Sequence, residues 1–156
     1  MPLTLKNTNH ANLKSLFLET FQTLNFHPGK RVFIKPNLSA REPILPGENS
    51  SLEVAKALSA ALLESGAEKI TFGHGALLGS FDHQFTFERI IKSSGFGELD
   101  NGKNVFVQDL DLLPRQDVKI DEMTFHLPLD FINNENDTFI NLAKIKPTWK
   151  PVSASA

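Results

Sequence analysis

Arg31-Val32-Phe33-Ile34-Lys35-Pro36-Asn37-Leu38, then a proline- and glycine-bearing loop into Ser50-Ser51-Leu52-Glu53, then Ile70-Thr71-Phe72-Gly73-His74-Gly75: this stretch decides the fold. Val32, Phe33 and Ile34 form a short continuous apolar run, as expected of a strand buried on both faces in a parallel sheet. Asn37 to Gly47 reads as loop. Ser50 and Glu53 have the spacing of a capping box, in which the serine hydroxyl accepts from the Glu53 amide and the Glu53 carboxylate reaches back to the Ser50 amide. A helix is therefore expected to start at Ser51. Its apolar stripe of Val54, Leu58, Ala61 and Leu62, with Ala55 beside it, ends at Gly66, a residue able to take the left-handed conformation that closes a helix. Ile70-Thr71-Phe72 is the next strand, and the whole is one βαβ unit. Ligands of open α/β sheets bind beyond the carboxyl ends of the strands, so the polar residues at these two ends are the first candidates.

Outward from this unit, Leu13, Leu16, Phe17, Phe21 and Leu24 recur at helical spacing and predict an amphipathic helix from about Asn9 to Leu24, broken by Pro28-Gly29. Phe87, Ile90 and Ile91 predict a helix over Thr86 to Ser94, stopped by Gly95. Val105-Phe106-Val107 is a third short buried strand. After it the rhythm changes: Val118-Lys119-Ile120 and Thr124-Phe125-His126-Leu127 alternate around Asp121-Glu122, which predicts an antiparallel hairpin with one face in water. Phe139 to Leu142 is a last strand. Two prolines at 147 and 151 remove donors near the end of the chain, so residues 147–156 are expected to form a loose tail after a single domain spanning 1–146. The expected architecture is three-layer α/β, with a mostly parallel sheet and a late antiparallel hairpin.

Composition narrows the partners. Sixteen Lys and Arg against eighteen Asp and Glu give a formal charge of −2, without the basic field that nucleic acid or an anionic membrane would favour. Neither partner is expected. The absence of cysteine excludes disulfides, thiolate nucleophiles and cysteine-held iron–sulfur clusters, so no cofactor is implied. With no apolar signal core or run of about 18 apolar residues, a cytoplasmic location is the plain reading. Thirteen Phe with one Trp and no Tyr describe an aromatic interior rather than a binding surface.

The candidate site is built from the strand ends. Lys35 and Arg41 would bring positive charge toward the start of the Ser51 helix, where free amides and the helix dipole favour phosphate or carboxylate, with Asn37 and Ser50 adding hydrogen bonds. The competing account has Asn37 in a turn, Ser50 as a cap and both cations solvated. His74 lies between Gly73 and Gly75, where backbone can approach a ligand closely and an imidazole can act as acid, base or ligand near neutral pH. It is the catalytic candidate, and the alternative is a loop histidine bonded locally. Lys144 and Lys146 share one side of the last strand, either closing over an anion or keeping an edge strand unpaired. Asp82, His83, Asp109 and Asp111 match no metal-ligand spacing, so no metal site is assigned, and no dinucleotide or Walker-type glycine pattern is present.

Taken in order, Val32 to Leu38, Pro46-Gly47, the helix ending Glu64-Ser65-Gly66-Ala67, Phe72 to Gly75 and Phe139 to Lys146 resemble the domain of unknown function 362 family. The resemblance covers roughly Lys30 to Lys146. It implies a soluble α/β fold, often joined elsewhere in the chain to ferredoxin-type iron–sulfur modules, and it carries no established activity. The family pattern continues with Thr-His after its final lysine, whereas Pro147-Thr148 follows Lys146 here, which reads as a truncated or divergent member. Two functions stay open. One is a domain binding a small anionic metabolite at the carboxyl ends of its strands, through Lys35, Asn37, Arg41, Ser50, Gly73, Gly75, Lys144 and Lys146, with His74 moving a proton. The other is a non-catalytic fragment or subunit that requires a partner chain or a second copy of itself. No reaction is assigned.

Overall fold

In the computed structural model, residues 12–39, 49–75, 86–132 and 137–143 are described. The chain runs α1 (Leu13–Thr23), β1 (Arg31–Pro36), α2 (Leu52–Glu64), β2 (Lys69–His74), α3 (Phe87–Ser94), a 3₁₀ turn (Phe96–Leu99), β3 (Val105–Asp109), β4 (Arg115–Ile120), β5 (Met123–Pro128), α4 (Leu129–Ile132) and β6 (Thr138–Leu142). Four strands make a parallel sheet in the order β3-β2-β1-β6, while β4 and β5 pair separately as an antiparallel hairpin. This is the α/β architecture the apolar runs predict.

Strand alternation sorts the side chains. Val32 and Ile34 of β1 register beside Ile70 and Phe72 of β2 and turn to the helical side, where they pack with Ala55, Leu58 and Leu62 of α2. Ile34, Leu62 and Ile70 are fully buried, each contributing roughly 1.5–3 kcal/mol relative to an exposed side chain. α1 covers the same side through Phe17 and Phe21, and Phe21 stacks at 5.0 Å on Phe26. Phe96, in the 3₁₀ turn, closes edge-to-face on Phe72 at 5.9 Å. The other side of the sheet carries Phe33, whose ring lies 4.8 Å from Phe131 and 5.8 Å from Phe139. α4 supplies that cover through Phe131 and leads directly from the hairpin.

Local signals behave as their chemistry requires, with one shift. Thr86 caps α3 by accepting from the Arg89 amide, and Gly95 ends it at φ 74°. Gly66 follows α2 at φ 103°. The capping box expected at Ser50 and Glu53 is not formed. Ser51 is the N-cap, its hydroxyl accepting from the Val54 amide and donating to Glu53 Oε2, so α2 begins at Leu52 rather than Ser51. The reason is that the Ser50 hydroxyl is drawn inward to the strand ends. β1 runs on through Lys35 and Pro36, where β6 continues to pair alongside both. Residues 9–11 of the first expected helix, and the tail at 147–156, lie outside the described residues. Among the described residues no helix is long and apolar enough to cross a membrane.

Candidate functional site

Strand order fixes where to look. The chain steps outward from β1 through β2 to β3, then returns to lay β6 on the other flank of β1. The order in which strands are added therefore reverses between β1 and β6, and the carboxyl edge at such a switch point is where open α/β sheets form their ligand crevice. Asn37 follows β1 there, Leu142 ends β6, and Asn49-Ser50-Ser51 leads into α2.

Ser50 ties these pieces together. Its hydroxyl accepts from the Asn37 amide at 2.9 Å and donates to the Leu142 carbonyl at 2.7 Å, while its own amide donates to the Asn37 carbonyl at 2.8 Å. These bonds make Ser50 a clasp between two strand ends. Beside it, Asn49 Oδ1 accepts from the Ser39 amide at 2.7 Å, which turns Nδ2 the other way. That Nδ2 is buried and has no acceptor among the described residues. A buried donor without a partner costs about 1–3 kcal/mol.

Lys35, at the carboxyl end of β1, has an exposed side chain whose ammonium donates back to the Pro36 carbonyl at 2.9 Å. Partial desolvation of that ammonium lowers its pKa from the ordinary lysine value. His74 is buried, 5% exposed, and its Nδ1 meets the Gly75 carbonyl at 2.5 Å. A carbonyl only accepts, so the neutral ring carries its proton on Nδ1. Burial pushes the His74 pKa down, and the Lys35 charge adds to this, against the opposing pull of the Gly75 and Leu38 carbonyls and the Asp111 carboxylate. The imidazole is thus mainly neutral at pH 7, held by backbone.

The flanking glycines have close-approach reasons. A Cβ on Gly73 would stand 2.3 Å from Phe33 Cζ, and one on Gly75 would stand 2.8 Å from Asp111 Oδ2. Asp111 is itself fixed by Arg115 at 2.8 Å and by its amide donating to Asp109 Oδ1 at 2.9 Å. Asp109, the last residue of β3, thus takes a turn role, and Asp111 beyond it takes turn and ion-pair roles. Among the described residues no three His, Asp or Glu side chains gather as a metal site.

The structure thus brings Lys35, Asn37, Ser50, His74 and Gly75 to one edge of the sheet, while Gly73 packs beneath Phe33. Arg41, Lys144, Lys146, Asp82 and His83 lie outside the described residues. Sequence reasoning passed over Asn49, whose only signal is its place one residue ahead of the two serines that lead into α2. The arrangement offers a cation, an orphaned amide donor and a neutral imidazole; it contains no activated nucleophile.

Compared with known protein families, residues 32–149 match the family described as Domain of unknown function (DUF362). No curated protein and no solved structure matches the chain. The family match runs from β1 through the clasped strand ends and past β6, more than half the chain, and on that ground the chain belongs to the DUF362 family.

Proposed function

We propose that this domain binds a small anion, a phosphate or carboxylate group, at the switch point between β1 and β6. The observation that carries the reading is Asn49 Nδ2, a buried donor with no acceptor among the described residues, in the segment that joins the strand ends to α2. An anion oxygen is the acceptor it lacks, and Lys35, at the end of β1 on the same edge of the sheet, supplies a cation. The dipole of α2 adds little, because Glu53 already places a carboxylate in its first turn. In this reading His74 holds Gly75 and the end of β2 in place, and its neutral ring avoids a second buried charge.

The test uses inorganic phosphate as probe, read by denaturant unfolding. Phosphate at 100 times its Kd raises stability by about 2.7 kcal/mol. Lys35→Ala abolishes that gain. Asn49→Asp keeps the oxygen that accepts from Ser39 but replaces the amide donor with a carboxylate oxygen, and it removes the gain as well. Equal phosphate stabilisation in all three proteins, or none in the parent with either phosphate or acetate, overturns the reading.

A second reading, a subunit completed by a partner chain or a second copy, is favoured by β6. It lies at one end of the strand order and carries Phe139, 55% exposed. Size-exclusion chromatography checks it: a strictly monomeric chain with a single cooperative unfolding transition counts against a required partner.

A further inference from the structure

A recess lies on the sheet face that carries Phe33, running from the starts of β1 and β2 to Gln108 near the end of β3. Arg31 and Lys69 are register partners on β1 and β2, and Phe33 and Thr71 are the next pair on the same face. With Gln108 of β3 below and Asp130 and Phe131 of α4 above, they enclose a cavity of about 160 Å³. A cavity of about 150 Å³ accommodates benzene, so this one suits a ligand of roughly six to eight heavy atoms.

Its charges are of both signs. Among the described residues neither Lys69 nor Asp130 has an ion-pair partner, although both line the one cavity; Lys69 lies 5.4 Å over the Phe106 ring. Arg31 is shared with Asp137 at 3.1 Å. A simple anion entering here would meet the Asp130 carboxylate, and a simple cation would meet Lys69 and Arg31. A molecule carrying both charges satisfies the two ends at once. Thr71, 5% exposed, and Gln108 provide neutral hydrogen-bonding groups between them, and the edge-to-face pair of Phe33 and Phe131 forms the apolar wall.

We infer that this cavity binds a small zwitterion of the amino-acid class, its carboxylate toward Lys69 and Arg31 and its ammonium toward Asp130. The test is a two-dimensional amide NMR titration of the full chain with L-serine, with acetate and ethylammonium as half-ligands. Serine gives saturable shifts at Thr71, Gln108 and Asp130, and each half-ligand binds at least about tenfold more weakly. Lys69→Met and Asp130→Asn each weaken serine binding by about tenfold, and Lys69→Arg restores it. Lys69 is exposed and Asp130 half-buried, and retained amide dispersion in each spectrum reports an intact fold. Absence of saturable shifts at these three amides, equal responses to serine and acetate, or unaltered binding in Lys69→Met and Asp130→Asn overturns the inference.

Discussion

At the scale of single residues, His74 and its two glycines form one packing problem. The ring stays uncharged because burial and Lys35 both disfavour imidazolium. Removing the lysine charge tests how much of that is Coulombic: Lys35→Met raises the His74 pKa in an NMR titration of the imidazole carbon-bound protons, and an unmoved midpoint assigns the shift to burial alone. The linkage sign follows from the lowered pKa. The unfolded chain takes up the proton first, near its ordinary value of about 6.5, so the contribution of His74 to stability is complete above that pH and declines as pH falls toward the folded-state value. The glycines differ in kind. Phe33 is buried in an aromatic cluster and cannot withdraw from a methyl 2.3 Å away, whereas Asp111 is the end of a movable side chain. Gly73→Ala therefore destabilises by about 1–3 kcal/mol in urea unfolding, and Gly75→Ala by clearly less. The Gly-His-Gly motif was legible as a close approach, but only the fold shows that protein groups make it.

At the scale of elements, Ser50 and Ser51 divide two tasks that the sequence alone merges. Either hydroxyl has the local pattern of a cap, and the capping-box spacing favours Ser50; what decides is the Leu142 carbonyl, 92 residues away, which captures the Ser50 hydroxyl. No local rule contains that acceptor. The two serines are separable by substitution. Ser50→Ala leaves the Asn37 amide and the Leu142 carbonyl each short of a partner in a buried corner, and it costs about 1–3 kcal/mol with faster amide exchange along β6. Ser51→Ala loses a cap bond of 3.4 Å and costs nearer the lower end of the 0.5–2 kcal/mol range. Reversed magnitudes would return the capping role to Ser50. The strands themselves were readable because Val32-Phe33-Ile34 is apolar on both faces and Ile70 and Phe72 bracket a β-branched Thr71. α4 was not, since four residues between a hairpin and a strand carry too little periodicity.

At the scale of the whole molecule, the last strand completes the sheet that the first one starts. β6 reaches β1 only after the hairpin and α4 have intervened, and the junction is clamped at its amino end by Asp137. Its carboxylate accepts from the Arg31 amide at 2.9 Å and pairs with the Arg31 guanidinium at 3.1 Å, while the Asp137 amide donates to the Arg31 carbonyl at 2.9 Å and the Gly29 amide donates to Thr138 Oγ1 at 2.8 Å. Such distant pairing is slow to form and is invisible to residue patterns, because loop closure precedes its reward. The guanidinium and amide of Arg31 hold the Asp137 carboxyl below its ordinary pKa. A lowered carboxylate contributes stability above its unfolded value, near 3.9, and loses it as pH falls through the folded value. Unfolding midpoints between about pH 2 and 5 therefore fall on acidification in the parent chain, and Asp137→Asn flattens that limb while lowering stability at neutral pH. Exchange at the Thr138 to Leu142 amides accelerates in the same variant. If acidification affects both chains equally, the acid sensitivity arises elsewhere, and the junction of first and last strand is held by its backbone pairing alone.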